Sequence, residues 1–114
     1  MILNTGFNEV VEDTYDDISN GEAGDNGALF NKSQTGVISA IAATDIALST
    51  KILANQRINM TYVLDTATAN GETLAEYEVN NGTTAYNRVP KSDLAKTSSD
   101  EVTLIQSWDF VIVI

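Results

Sequence analysis

Six side chains that carry oxygen donors crowd the stretch between residues 16 and 26. They are Asp16, Asp17, Asn20, Glu22, Asp25 and Asn26. Carboxylate and amide oxygens are the ligands that Ca²⁺ prefers, so this stretch is a candidate calcium loop. Its spacing does not match the EF-hand loop, however, and acidic loops are more often simply solvated. We therefore expect an exposed polar loop here, and we predict no metal and no cofactor.

The residue types that most catalytic sites require are missing or unfavourably placed. The chain has no histidine and no cysteine, which removes the usual general base near neutral pH, thiol nucleophiles and the common zinc ligand sets. It also lacks the glycine-rich loop that binds phosphate groups in nucleotide-binding proteins. The acidic pairs between Glu9 and Asp25 lie where exposed carboxylates are expected. We therefore predict that the protein is not an enzyme.

The charge balance excludes further classes of partner. Sixteen acidic residues face six basic ones, for a formal net charge of −10. Nucleic-acid binding depends on Lys and Arg displacing counterions from phosphates, so such a surface repels DNA and RNA. The longest apolar run, residues 110–114, is far shorter than a membrane span. The first residues also lack the basic start and apolar core of a signal peptide. We expect neither a nucleic-acid nor a membrane partner.

The first segment has the periodicity of an amphipathic helix. Its apolar residues recur at spacings of three, four and seven, with polar residues on the opposite side: Phe7, Val10, Val11, Tyr15 and Ile18. We predict a helix over residues 4–18 and a loop over residues 19–27.

The rest of the chain, residues 28–114, has the pattern of β-structure. Alternation of apolar and polar residues predicts one strand over 51–66 and a last strand over 102–114. We therefore predict one structural domain, residues 1–114, of mainly β (α+β) class: a small β-sandwich-like domain with one N-terminal helix.

Two turn signals divide the middle of this β-rich body. The dipeptides Asn70-Gly71 and Asn81-Gly82 are typical of tight turns, and they bracket a short strand over 74–80. We expect its partner strand over 84–89, ending at Pro90 because proline lacks the N–H that a strand ladder needs. A polar loop over 91–101 should follow.

The last strand changes character at its end. One face is apolar throughout, whereas the other begins with polar residues and turns to Val111 and Val113. Leaving these two valines in water would forfeit roughly 1.5–3 kcal/mol each, so we expect another subunit to cover them. Arg57 and Arg88 are two of few cations, and each should pair with a carboxylate within the chain or across an interface. The predicted oligomer interface comprises Trp108, Phe110, Val111, Ile112, Val113, Ile114, Arg57 and Arg88.

Four aromatic residues suggest an alternative role. Trp108, Tyr77, Tyr62 and Tyr86 could stack on sugar rings and form a carbohydrate- or receptor-binding surface. Aromatic residues at strand spacing more often belong to the core or to a subunit interface.

Several short motifs, in order, carry a resemblance to a known family. They are Thr44-Asp45-Ile46-Ala47-Leu48, Ala69-Asn70-Gly71 with Leu74 and Glu76, Asn87-Arg88-Val89, and Lys96-Thr97-Ser98-Ser99-Asp100-Glu101 before Trp108. In this order and spacing the chain resembles small tail proteins and tail-fibre N-terminal domains of tailed bacteriophages and related viruses. The likeness covers roughly residues 4–114. It departs from the family pattern at Glu78 and Asn80, where a glycine and an aromatic residue are usual.

The resemblance implies a function and a location. It implies a virion structural protein of the tail, baseplate or fibre base, made in the host cytoplasm. It also implies a homo-oligomer, commonly a trimer, attached to other virion structural proteins. Because no fibre shaft follows Ile114, we expect a free-standing structural piece. The alternative within the virion is a capsid decoration (cement) protein on the shell.

Overall fold

The structure is a computed structural model that describes residues 4–111, with side chains from Thr5 onward. It confirms the predicted fold class: the chain is mainly β, with one N-terminal helix and two antiparallel sheets. The elements are α1 (Asn4–Asp17), β1 (Asn20–Gly24), β2 (Ile46–Ala47), β3 (Thr50–Ala54), β4 (Arg57–Leu64), β5 (Thr73–Asn80), β6 (Val89–Ala95) and β7 (Val102–Asp109).

The two sheets pack face to face, and their buried apolar side chains form two clusters. One sheet has the strand order β2-β1-β5-β6 and the other β3-β4-β7. Side chains from both sheets meet in one buried cluster: Ala23, Ile41, Tyr62, Leu64, Leu74, Tyr77 and Val102. A second cluster lies at the helix end of the molecule: Ile18, Ile58, Met60 and Val79. Each sheet therefore has one inner face and one outer face.

The helix forms where its periodicity predicts. Val11 and Ile18 are buried and Tyr15 is half-buried, whereas Val10 is exposed because it lies on the flank of the apolar stripe. Tyr15 packs against the second core cluster, which ties α1 to the sheets. At 14 residues with several acids, α1 is too short and too polar to cross a membrane.

A lysine from β3 neutralises the carbonyl end of α1. The last turn of the helix contains no basic residue. Instead Lys51 Nζ donates to the carbonyl oxygens of Tyr15 at 2.6 Å and Ile18 at 2.9 Å. The ammonium group also lies 4.6 Å from the centre of the Tyr15 ring. A cation here offsets the partial negative charge of the helix C-terminus, which Asp16 and Asp17 would otherwise reinforce.

Replacing Lys51 with methionine should therefore loosen α1. We expect a loss of about 1 kcal/mol of unfolding free energy, together with reduced helical signal in far-UV circular dichroism. Lys32→Met, which removes an exposed lysine from a loop, is the matched control and should change neither quantity. Equal effects of the two substitutions would contradict the capping role of Lys51.

The single strand predicted over residues 51–66 is wrong: the segment is a hairpin of β3 and β4. Asn55 and Gln56 form a two-residue turn, with φ values of 52° and 56°. Positive φ at both turn residues matches the twist of the flanking strands. The turn reverses the direction of the chain, so Ile52 lies opposite Asn59 on the outer face rather than beside Ile58 in the core.

The loop predicted over residues 19–27 is also wrong in part, because residues 20–24 form β1. This strand pairs with β5 in continuous register from Asn20–Asn80 to Gly24–Glu76. The glycines of β1, Gly21 and Gly24, allow other atoms to pack close to the strand rather than forming a turn. A Cβ at Gly21 would collide with the ring of Tyr62. The β-rich body thus begins at residue 20, not at 28.

The strand predicted over 84–89 forms later in the chain, as β6. Pro90 lies inside β6 rather than ending it, because β6 is an edge strand where the missing N–H is tolerated. The predicted polar loop is correspondingly shortened to residues 96–101. Both turn signals are confirmed, since Gly71 and Gly82 have φ values of 82° and 96°.

Candidate functional site

A buried ion pair holds a long irregular segment against the outer face of the four-stranded sheet. The pair joins Arg88 Nε to Glu76 Oε1 at 2.8 Å, and both side chains are almost fully buried. Glu76 belongs to β5, whereas Arg88 directly precedes β6. This segment, residues 25–45, has no regular structure apart from an isolated bridge between Gly24 and Ala40. We name it the cover, because it lies over that face of the sheet.

The Glu76 carboxylate binds this cover through main-chain N–H groups. It accepts hydrogen bonds from Ile38 at 2.6 Å and from Asn26 and Ser39 at 3.0 Å each. Burial alone would raise the pKa of Glu76, but these bonds and Arg88 outweigh it and hold the pKa below its ordinary value. The carboxylate is therefore a charged internal anchor.

The Arg88 guanidinium binds the same cover through carbonyl groups. Its Nη2 donates to the carbonyl oxygen of Asn26 at 2.7 Å, and its Nη1 donates to that of Ala28 at 2.9 Å. The prediction that Arg88 pairs with a carboxylate is confirmed, but its assignment to a subunit interface is wrong. Its own fold leaves the residue only 4% exposed, so it offers almost no surface to a partner. We name the Glu76–Arg88 pair with the bound segment 25–45 the clamp.

Acid should open the clamp. Because the pKa of Glu76 is lowered by folding, its stabilising contribution is complete above about pH 4.3 and is lost as the pH falls through the lower folded value. We expect the amide NMR shifts of Asn26, Ile38 and Ser39 to titrate together in that acidic window. The Ile41 amide, which donates to the Ala23 carbonyl instead, is the internal control. A common midpoint for all four amides would indicate global unfolding and contradict local release.

An acidic cleft of about 230 Å³ lies beside the clamp. Glu22, Asp45, Glu78 and Asn80 line it together with residues 35–37. Glu22 and Glu78 are directly opposed on β1 and β5. Burial raises the pKa of Glu22, and the neighbouring charges of Glu78 and Asp45 add to the effect. Asn80 offsets part of this repulsion by donating to Glu78 at 3.0 Å.

The candidate calcium ligands do not assemble as the sequence suggested. Of the six residues between 16 and 26, only Glu22 lines the cleft, and its acidic neighbours come from distant positions. Glu78 is already engaged by the Val37 N–H and by Asn80. Within residues 4–111, no group of three acidic, histidine or cysteine side chains is arranged to hold a metal ion.

The predicted interface residues at the end of β7 and just beyond it occupy two different environments. Trp108 and Phe110 face inward and pack on the second core cluster. Val111 is 76% exposed in the single chain. Ile112, Val113 and Ile114 lie outside the described residues. The strand predicted over 102–114 ends at Asp109 as β7, and Phe110 and Val111 follow it without regular structure, so the predicted change in strand character at Val111 and Val113 falls outside β7.

The outer face of the three-stranded sheet is uncovered in the single chain. Ile52 on β3 is 56% exposed and Ile105 on β7 is 66% exposed. Between and around them the face is mostly uncharged: Thr50, Ala54, Asn59, Thr61, Val63, Thr103 and Ser107. Its two charges belong to Arg57 and Asp109, which are paired at 2.6 Å. We name these strand residues the outer face; its net charge is zero.

The Arg57–Asp109 pair is exposed, unlike the clamp. Arg57 Nη2 also donates to Asp109 Oδ2 at 3.1 Å, so the guanidinium contacts both carboxylate oxygens. The hydrogen bond from Arg57 and its charge hold the pKa of Asp109 below its usual range. The sequence prediction that Arg57 pairs with a carboxylate is confirmed within the chain.

The four aromatic residues proposed for sugar binding do not share a surface. Tyr62 and Tyr77 belong to the core, and the Tyr62 hydroxyl donates to the Thr44 carbonyl at 2.6 Å. Tyr86 and Trp108 are partly exposed, with ring centres 5.9 Å apart. Tyr86 is held in place by a hydrogen bond from its hydroxyl to Asp17. Of the four aromatic residues, only Tyr86 and Trp108 are accessible to a sugar, and their rings are tilted relative to each other by 53°.

Comparison with known proteins adds no relative. No protein-family model, no curated protein and no solved structure matches the chain.

Proposed function

We propose that this chain is a virion structural protein of a tailed virus: a subunit of the tail, the baseplate or the fibre base that assembles as a homo-oligomer. The observation that carries the proposal is the outer face, which is neutral on a chain with a net charge of −10. It exposes both Ile52 and Ile105. Copies that repel each other elsewhere can approach one another on the side of the molecule that carries this neutral face.

The motifs behind the family resemblance support this proposal because they contact one another. Glu76 of one motif pairs with Arg88 of another. Lys96 of a third donates to Asn70 at 2.9 Å, and the Asn70-Gly71 turn also bonds to the Lys96 carbonyl. The similar residues are therefore those that hold this fold together, as expected if the likeness concerns a shared domain.

The pattern of polar burial also fits a structural role. The buried charges of the clamp are satisfied by backbone groups and by each other. Rigid positioning of a long loop is useful in a subunit that must present fixed surfaces. The protein would thus act through its shape and its contacts.

Labelling of virus particles tests the proposal. Antibodies against the purified chain, visualised by electron microscopy on intact particles of the virus that encodes it, should mark the tail or its tip. Label spread over the shell would instead identify a capsid decoration protein. Absence of the chain from particles, checked by mass spectrometry of the same preparation, would overturn a virion role.

A further inference from the structure

The four edge strands of the two sheets are not equally protected against pairing with another chain. Edge strands present unpaired backbone groups, and monomeric proteins usually guard them with short length, proline, charge, bulges or a covering element. The edges here are β2, β6, β3 and β7. Three of these edge strands have at least one such protective feature.

The guards on the three protected edges are of different kinds. Strand β2 is only two residues long. Strand β6 contains Pro90 and the charged residues Lys91 and Asp93, and its pairing with β5 is interrupted by a bulge. Strand β3 is flanked by α1, whose Tyr15 hydroxyl donates to the Lys51 carbonyl at 3.2 Å. None of the three offers a long regular edge.

Strand β7 has no protection of this kind at its backbone, although Asn87 donates to the Gln106 side chain at 2.6 Å and the Tyr86 ring lies beside Trp108. It pairs with β4 over all eight residues without a register shift. It contains no proline, lysine or glycine, and its one charged residue, Asp109, is paired with Arg57. No side chain or loop among residues 4–111 bonds to the backbone of its free edge. A long, regular edge of this kind favours pairing with another strand.

We infer that the free edge of β7 pairs with β7 of a second copy, antiparallel and about a two-fold axis. This inference rests on the proposed role as an assembly subunit and names the surface that it uses. Pairing would join two three-stranded sheets into one six-stranded sheet. It would also place the outer faces of both copies side by side, with Ile105 of each copy near the axis.

Charge identifies the second copy as the occupant. An acidic chain repels its own copies at most surfaces, but β7 and the outer face around it carry no net charge. A two-fold axis makes the contact self-complementary, since each copy supplies the same strand. A ring of three would need β7 to meet a different edge of its neighbour, and those edges are guarded. The pairing therefore predicts an even number of copies, unlike the trimer that the family resemblance implies.

Two lysine substitutions separate edge pairing from stacking of the outer faces. Ile105→Lys places a charge on β7, whereas Ile52→Lys places the same charge on β3, two strands away on the same face. Both positions are exposed, so both variants should keep the thermal stability of the parent chain. By sedimentation of the full chain, we expect Ile105→Lys to weaken self-association about tenfold or more and Ile52→Lys to leave it nearly unchanged. Thr103→Lys, also on β7, should behave like Ile105→Lys.

Cysteine crosslinking gives a second, positive readout. The natural chain has no cysteine, so a single introduced thiol can pair only with its counterpart in another copy. Under mild oxidation, one of Thr103→Cys, Ile105→Cys and Ser107→Cys should form covalent dimers much faster than Ile52→Cys, because only residues near the axis come within disulfide distance. Equal crosslinking through Ile52, equal weakening by both lysine variants, or an odd-numbered oligomer would overturn the inference. A chain that dimerises through β7 in solution but is absent from virus particles would instead refute only the proposed function.

Discussion

Replacing Arg88 with methionine should cost the protein about 3–5 kcal/mol of unfolding free energy, the largest loss that we predict for a single substitution. The substitution leaves the Glu76 carboxylate buried without its cation. It also removes the donors that bind the carbonyl groups of Asn26 and Ala28. Chemical denaturation followed by Trp108 fluorescence measures the loss.

A matched control separates burial from charge. Arg57→Met also deletes an arginine from an ion pair, but that pair is exposed and should have little measurable effect on stability. If Arg88→Met abolishes folding, Arg88→Lys serves as the second variant. It keeps the charge but replaces the three guanidinium nitrogens that bond Glu76 and the two carbonyls by a single one, so its loss should be smaller but clear. Equal stabilities for Arg88→Met and Arg57→Met would contradict the structural role of the clamp.

Replacing Gly24 with alanine should cost about 1–3 kcal/mol by forcing the clamp apart. A Cβ at this position would collide with the Glu76 carboxylate and with the backbone oxygen of Ser39. The backbone oxygen cannot move without shifting the cover, since it also accepts the Asp25 N–H at 2.9 Å. We expect a lower denaturation midpoint and faster amide exchange at Ile38 and Ser39.

Gly27→Ala is the corresponding control. A Cβ at Gly27 would lie 3.6 Å from the Cβ of Ala75, an ordinary contact, so this variant should match the parent chain. A Gly24→Ala variant as stable as Gly27→Ala would show that the cover moves freely over the sheet. In that case Glu76 and Arg88 would not be holding it in one place.

The clamp explains how the cover is held in place although some of its apolar residues are exposed. Leu29 and Phe30 are 87% and 59% exposed, immediately after the two carbonyl groups that Arg88 binds. Without such an anchor, a segment with no regular structure would have many conformations available. The buried ion pair thus specifies one position for a loop that its own apolar contacts do not secure.

The helix and the long alternating strands were predictable because an element buried on one side has apolar residues at a regular spacing in its sequence. Val11 and Ile18 follow the helical period, and β4 and β7 alternate between buried and exposed residues. The local sequence is enough to predict such elements, because the environment of each residue depends mainly on the face on which it lies.

The errors arose where local signals have two physical meanings. Asn55 and Gln56 form a tight turn without glycine, so the alternation seemed to continue through it. In β1, glycine serves close packing against Tyr62, although in most sequences it marks a loop. Pro90 lies in an edge strand, where it does not end the pairing.

The clamp could not be predicted from local pattern. Glu76 and Arg88 have the residue types of an exposed surface, and β5 alternates as if one of its faces were wet. That face is buried because residues 25–45 cover it, and this cover has no periodicity that would reveal its position. A buried pair built from two distant segments becomes visible only when the sheet is assembled.

Sedimentation equilibrium of the wild-type chain, over a range of protein and salt concentrations, tests most directly whether this protein is an assembly subunit. We expect an average mass above the 12.3 kDa of one chain, increasing with protein concentration. Added salt should strengthen the association, because it screens the repulsion between copies that each carry a charge of −10. A mass of 12.3 kDa under every condition would contradict it.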